Sequence, residues 1–146
     1  MRRNLLFSPP AAGAVLTLQI PRTKALMRIM GLAFDSTNAA ALRLMLTLVP
    51  RNSVNGWSVP LYVTEPAGTM HCSAFVGAPA SQERQKNNAA ATAVIRDSSS
   101  GMAVLCPLPD VEFDQDVTLT VDDEAGGLGG GDTFTNIRVQ VEDTDG

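Results

Sequence analysis

The chain has 146 residues, 45% hydrophobic and 18% charged, which is enough apolar material for one globular core and excludes a disordered chain. Its net charge is −4 and its cations are dispersed apart from Arg2-Arg3 and Arg22/Lys24, which argues against nucleic acid as the main partner. Nine prolines and twelve glycines favour short strands and turns over helices.

At the start, Arg2-Arg3, Leu5-Leu6-Phe7 and Ala12-Gly13-Ala14 imitate a secretory leader with a small-residue cleavage site. Ser8-Pro9-Pro10 cuts the apolar run to three residues, where about seven to fifteen are needed, so the segment is expected to be retained. Residues 1–13 are therefore read as an N-terminal arm, and residues 14–146 as the folded domain. An apolar segment followed by Pro9-Pro10 is not expected to join the domain's own sheets. No apolar run approaches the length of a membrane span, so no membrane partner is expected.

The dominant signal along the chain is alternation. In Leu16-Thr17-Leu18-Gln19-Ile20 apolar and polar residues take turns until Pro21. Next, Leu26, Arg28, Met30, Leu32 and Phe34 are assigned to one face of a strand, and Met27, Ile29, Gly31 and Ala33 to the other. Asp35-Ser36-Thr37-Asn38 reads as a turn, since these side chains bond their own backbone. Leu42, Leu44, Leu46 and Leu48 then alternate with Arg43, Met45, Thr47 and Val49. Asn55-Gly56 is the strongest local turn signal, and Trp57 to Val63, broken by Pro60, reads as an edge or bulged strand.

Met70 to Val76 is a further strand. Gly77 to Ala91 is one long irregular stretch, with Gln82 to Asn88 as either a polar surface loop or a short helix. Thr92–Arg96 and Met102–Cys106 form an expected hairpin, after which Pro107-Leu108-Pro109-Asp110 turns the chain. Val117 to Val121 alternates again. In Thr133 to Val141, Thr135, Ile137, Val139 and Val141 are placed opposite Asn136, Arg138 and Gln140. The sum is an all-β fold, a jelly-roll-like antiparallel β-sandwich of about eight strands.

Candidate chemistry is sparse. Asp122-Asp123-Glu124 and the five glycines between Gly126 and Gly131 look like a ligand loop. A phosphate loop needs a lysine after its glycines, and no lysine or arginine follows until Arg138. A dinucleotide fingerprint needs glycine where Asp132 stands, and the calcium-binding GGxGxD repeat needs a carboxylate where Gly131 stands. A calcium site improvised from Asp122, Asp123, Glu124 and Asp132 is the chemical alternative to a slack hairpin tip with solvated acids, and the hairpin tip is preferred.

Asp110, Glu112, Asp114 and Asp116 are spaced by two, a pattern that paired catalytic carboxylates could share, but it is read as a solvated loop. His71 is the sole histidine and no GxSxG elbow accompanies it, so it is read as structural or surface. With one histidine and with Cys72 and Cys106 far apart in sequence, a zinc site would have to recruit carboxylates as well, and a cupin-type site would lack its cluster of histidines. The two cysteines are read as a reduced pair, with a disulfide as the alternative. No cofactor, metal or catalytic residue is assigned, and the chain is expected not to be an enzyme.

Four features, taken in order, carry a resemblance. Ile20-Pro21-Arg22-Thr23-Lys24 precedes the long segment Ala25–Phe34; Ser36–Ala40 leads to Leu42-Arg43-Leu44; Leu108-Pro109-Asp110 precedes the penultimate strand; Gly130-Gly131-Asp132 opens Phe134–Val141. In this order the chain resembles small jelly-roll structural proteins of tailed-bacteriophage virions, of the capsid decoration or cement type. The resemblance implies a protein on the capsid surface, assembled in the host cytoplasm, that binds the major capsid protein and forms a dimer or trimer. The expected contact residues are Arg2, Arg3, Leu5, Leu6 and Phe7 of the arm, with Gln82, Arg84 and Lys86 of the polar loop. The alternative expectation is a tail or head-fibre attachment module that binds a host glycan or protein.

Overall fold

The computed structural model describes residues 1–38, 42–52, 61–65, 68–78, 93–97, 101–123 and 127–145. Among these there are eleven strands and no helix. They are β1 (Arg2–Phe7), β2 (Leu16–Ile20), β3 (Leu26–Asn38), β4 (Leu42–Pro50), β5 (Leu61–Glu65) and β6 (Gly68–Val76), followed by β7 (Ala93–Asp97), β8 (Gly101–Leu108), β9 (Glu112–Phe113), β10 (Val117–Asp123) and β11 (Thr133–Thr144). One sheet has the order β1-β11-β3-β6-β8-β7, with β9 also paired to β3; the other has the order β2-β10-β4-β5.

The sequence-based expectation of an all-β sandwich holds. Two details differ from it. There are more strands than expected, because β1 and the two-residue β9 are additional. The pairing is also mixed, since β6 and β8 run parallel from Met70↔Met102 to Val76↔Leu108. That pair requires a crossover, and β7, which forms a hairpin with β8, lies on the far side of it.

One apolar core joins the two sheets. From the smaller sheet come Leu16, Leu18, Ile20, Leu44, Leu46, Leu48, Val117, Leu119 and Val121, every second residue of their strands. The larger sheet contributes Leu32, Phe34, Phe134, Ile137 and Val139 among others, with the Phe34 and Phe134 rings edge to face at 5.6 Å. Cys72 and Cys106 are both buried in this core, and no disulfide joins them. Burying each large aliphatic side chain stabilises by about 1.5–3 kcal/mol, so the alternation is the main energetic determinant of which face turns inward.

In two strands the alternation changes phase. On β3, Met27 and Ile29 are buried, and then Leu32 and Phe34. Gln140 pairs with Gly31 and Val141 with Ile29, so Met30 is an extra residue and the strand switches faces there. The expected face of Leu26, Arg28, Met30, Leu32 and Phe34 is thus correct only for its last two members. On β11, Thr135 pairs with Asp35 and Arg138 with Ala33, which leaves one extra residue around Asn136. Phe134 and Ile137 both point inward as a result, and Thr135, expected on the same side as Ile137, is exposed.

Asp35 to Asn38, expected as a turn, continues β3. Ladders on both sides, to Thr133–Thr135 of β11 and Gly68–His71 of β6, override the local turn preference. Likewise β8 extends to Leu108, through the expected turn at Pro107. The hairpin partner β7 pairs only with residues 101–105, so it makes no demand on the proline nitrogen. Pro60 and the Asn55-Gly56 signal lie outside the described residues. The strand beyond them, β5, does occupy an edge of its sheet.

The arm also joins a sheet. Arg2 to Phe7 pair with Glu142 to Ile137 as an antiparallel edge strand. Pro9 and Pro10 follow β1 and remove no hydrogen bond from the ladder, which is why they do not prevent this pairing.

Candidate functional site

Polar residues on the outer face of the larger sheet converge at the β11 bulge. Asn136 has φ 52°, a left-handed conformation uncommon for a residue with a Cβ. This turns its side chain back along the sheet, and Nδ2 donates to Asp35 Oδ2 at 2.7 Å. The other carboxylate oxygen, Asp35 Oδ1, lies 2.7 Å from Nδ1 of His71, its cross-strand neighbour on β6. Burial alone would raise the Asp35 pKa; the hydrogen bonds from Asn136 and His71, with the charges of His71 and Arg138, outweigh it and hold the carboxyl below the ordinary aspartate range. An ionised Asp35 accepts only, so Nδ1 of His71 carries the proton and the ring is fixed in orientation.

These residues form one end of a groove. A depression of about 430 Å³ lies against Asp35, His71, Asn136 and Arg138. A second, of about 300 Å³, continues past Gly31, Phe75 and Gln140. Ala33, Ser73 and Arg138 line both. The floor is β3, where Gly31 and Ala33 put almost no side chain above the sheet, and the walls are β11 and β6 on either side. Among the described residues no carboxylate is paired with the Arg138 guanidinium.

The glycine loop is not the slack tip with solvated acids that was expected. Asp123 and Asp132, expected to be solvated, are buried. Asp123 Oδ2 accepts from Gly127 N, and Asp132 Oδ2 from Gly129 N, each at 2.7 Å. Leu128 packs against the core. The loop also rests on residues 11–14, where Gly13 N donates to Asp132 O at 2.9 Å. Gly13 has φ +82°, and a Cβ there would lie 3.0 Å from the Gly129 backbone. Among the described residues no three His, Cys, Asp or Glu side chains are grouped to hold a metal; Glu124 lies outside them.

Asp110, Glu112 and Asp116 of the acidic run meet arginines. Arg28 lies between Asp110 and Glu112 at 3.5 and 3.4 Å, and Asp116 accepts from Arg22 N at 2.8 Å and faces Arg51. These carboxylates serve to fasten the 109–116 segment to β3 and to its neighbours.

The expected contact residues separate by face. Arg3 pairs with buried Asp143, and Leu5 and Phe7 pack against the core. Arg2 and Leu6 point outward, Leu6 with 82% of its surface exposed. Gln82, Arg84 and Lys86 lie outside the described residues. Sequence reasoning missed Asp35, Asn136 and Arg138. The available signal was Gly31-x-Ala33-x-Asp35, small residues at alternate positions of a long strand, which mark a recess in a sheet face. Comparisons with protein-family models, with curated proteins and with solved structures found no match to the chain.

Proposed function

We propose that the chain is a non-enzymatic virion structural protein of the capsid decoration or cement type, which binds the shell of major capsid protein and stabilises it. The observation that supports this reading is β1. Among the described residues it is the last strand of its sheet, paired to β11 on one side only, and it carries outward-facing Leu6 beside an open backbone edge. An exposed edge with an apolar anchor is suited to pairing with a strand of another protein, in which main-chain hydrogen bonds give affinity and the anchor gives specificity. On the capsid surface the same edge would join neighbouring shell subunits, with the chain present as a dimer or trimer.

The test is electron microscopy of particles from a culture that produces the chain, together with protein identification from the purified particles. The expected result is regular density for the chain on the outside of the shell, lost when Leu6→Asp replaces the wild type. Particles that lack the chain, or that carry it only in the tail or the interior, would overturn the reading.

A further inference from the structure

We propose that the groove on the outer face of the larger sheet binds a small acidic sugar, a polyhydroxylated ring bearing a carboxylate. This goes beyond shell binding, which uses the β1 edge, and either role can fail without the other.

The charge argument rests on Arg138. Arg138 lines both parts of the groove, and its guanidinium has no carboxylate partner among the described residues. Arg2, Arg3 and Arg28 of the same sheet differ, since each faces an Asp or Glu. Asp35 does not neutralise Arg138 by contact, because its two oxygens are taken by Asn136 and His71. An incoming carboxylate would meet a planar, forked donor suited to two parallel hydrogen bonds.

The shape and the remaining polar groups argue for a sugar. The strands walling the groove, β11 and β6, flank β3 and so stand about 10 Å apart, and Gly31 to Asp35 spans about 13 Å. The volumes of about 430 and 300 Å³ are those of small-ligand sites. Asn4, Gln140 and Ser73 offer side-chain donors and acceptors along it, and Phe75 offers an apolar plate for one ring face. A peptide is disfavoured, because β3, β6 and β11 already engage their backbone groups in ladders with each other. The sheet face therefore offers an extended chain no main-chain pairing, whereas hydroxyl groups need only side chains.

The test is a titration of the full ¹⁵N-labelled chain, followed by NMR, with glucuronate as the probe. Glucose, acetate and a short glutamate-rich peptide are titrated in parallel. The expected result is saturable shifts at Gly31, Ala33, Ser73 and Phe75 with glucuronate, at an affinity at least about tenfold above that for glucose or acetate. Arg138→Gln should remove this advantage and Arg138→Lys should retain part of it, with Arg28→Gln as an unaffected control. No saturable shift with glucuronate, equal binding of acetate, tighter binding of the peptide, or an Arg138→Gln protein that binds like the wild type would each overturn the proposal.

Discussion

Arg3 and Asp143 are paired across the seam between β1 and β11. The Asp143 side chain is 1% exposed, and Arg3 Nη2 donates to its Oδ1 at 3.0 Å while Nε donates to Oδ2. The same Nη2 also donates to Pro21 O at 2.9 Å, so one guanidinium fastens the edge strand to the segment after β2. Removing the arginine would leave a buried carboxylate without its cation. Arg3→Met is expected to destabilise by on the order of 3 kcal/mol, read from the chemical-denaturation midpoint, and the double variant Arg3→Met/Asp143→Leu to recover much of that loss.

The same pair sets a pH dependence. The hydrogen bond from Arg3, aided by its charge and opposed by burial, lowers the Asp143 pKa below the ordinary value. A carboxyl with a depressed folded pKa binds protons more readily unfolded, so its contribution is fully present above the ordinary value, roughly pH 4, and is lost as pH falls through the folded pKa. Asp35 is shifted in the same direction by Asn136, His71 and Arg138. Thermal melting from pH 6 down to pH 2 should show a falling Tm below about pH 4, with a shallower fall in Asp143→Asn.

Asn136 supplies two separable effects, its left-handed backbone and its amide bond to Asp35. Asn136→Gly accepts the backbone and loses the bond; Asn136→Ala loses the bond and keeps a Cβ where it is disfavoured. The alanine variant is expected to be the less stable by about 1 kcal/mol in urea unfolding. Equal stability of the two would show that the conformation carries no cost.

Gly13 and Gly130 make a similar contrast within one contact. Gly13→Ala combines a positive φ with a Cβ at 3.0 Å from the Gly129 backbone, whereas a Cβ at Gly130 meets nothing within 4 Å. The first is expected to cost more than about 1 kcal/mol and the second to stay within about 0.5 kcal/mol, measured by differential scanning calorimetry.

Much of the fold was legible in the amino-acid pattern. Leu16-Thr17-Leu18-Gln19-Ile20 and Val117-Thr118-Leu119-Thr120-Val121 alternate without interruption, and their apolar residues are the buried ones. The phase changes at Met30 and Asn136 were not legible, because no composition cue marks either inserted residue, so a strict two-residue period puts Leu26, Arg28 and Met30 on the face of Leu32 and Phe34, and Thr135 on that of Ile137. The groove was hidden for the same reason, since Asn136 reaches Asp35 only through the bulge. The glycine loop was misjudged on a different ground. Its aspartates look solvated in a polar sequence, yet backbone N–H groups of Gly127 and Gly129 and the apolar anchor Leu128 draw them under cover.

The ladder between β1 and β11 couples Arg2 to Glu142 and Phe7 to Ile137. Partners so remote in sequence meet only after the intervening polypeptide has left the ribosome, and their loop-closure entropy is among the largest the molecule has to overcome. Until then β3 lacks its neighbour on that side, and a nascent chain stalled before Ile137 presents a bare strand to any other copy nearby. Truncation before Ile137 is therefore expected to yield aggregates rather than a shortened soluble product.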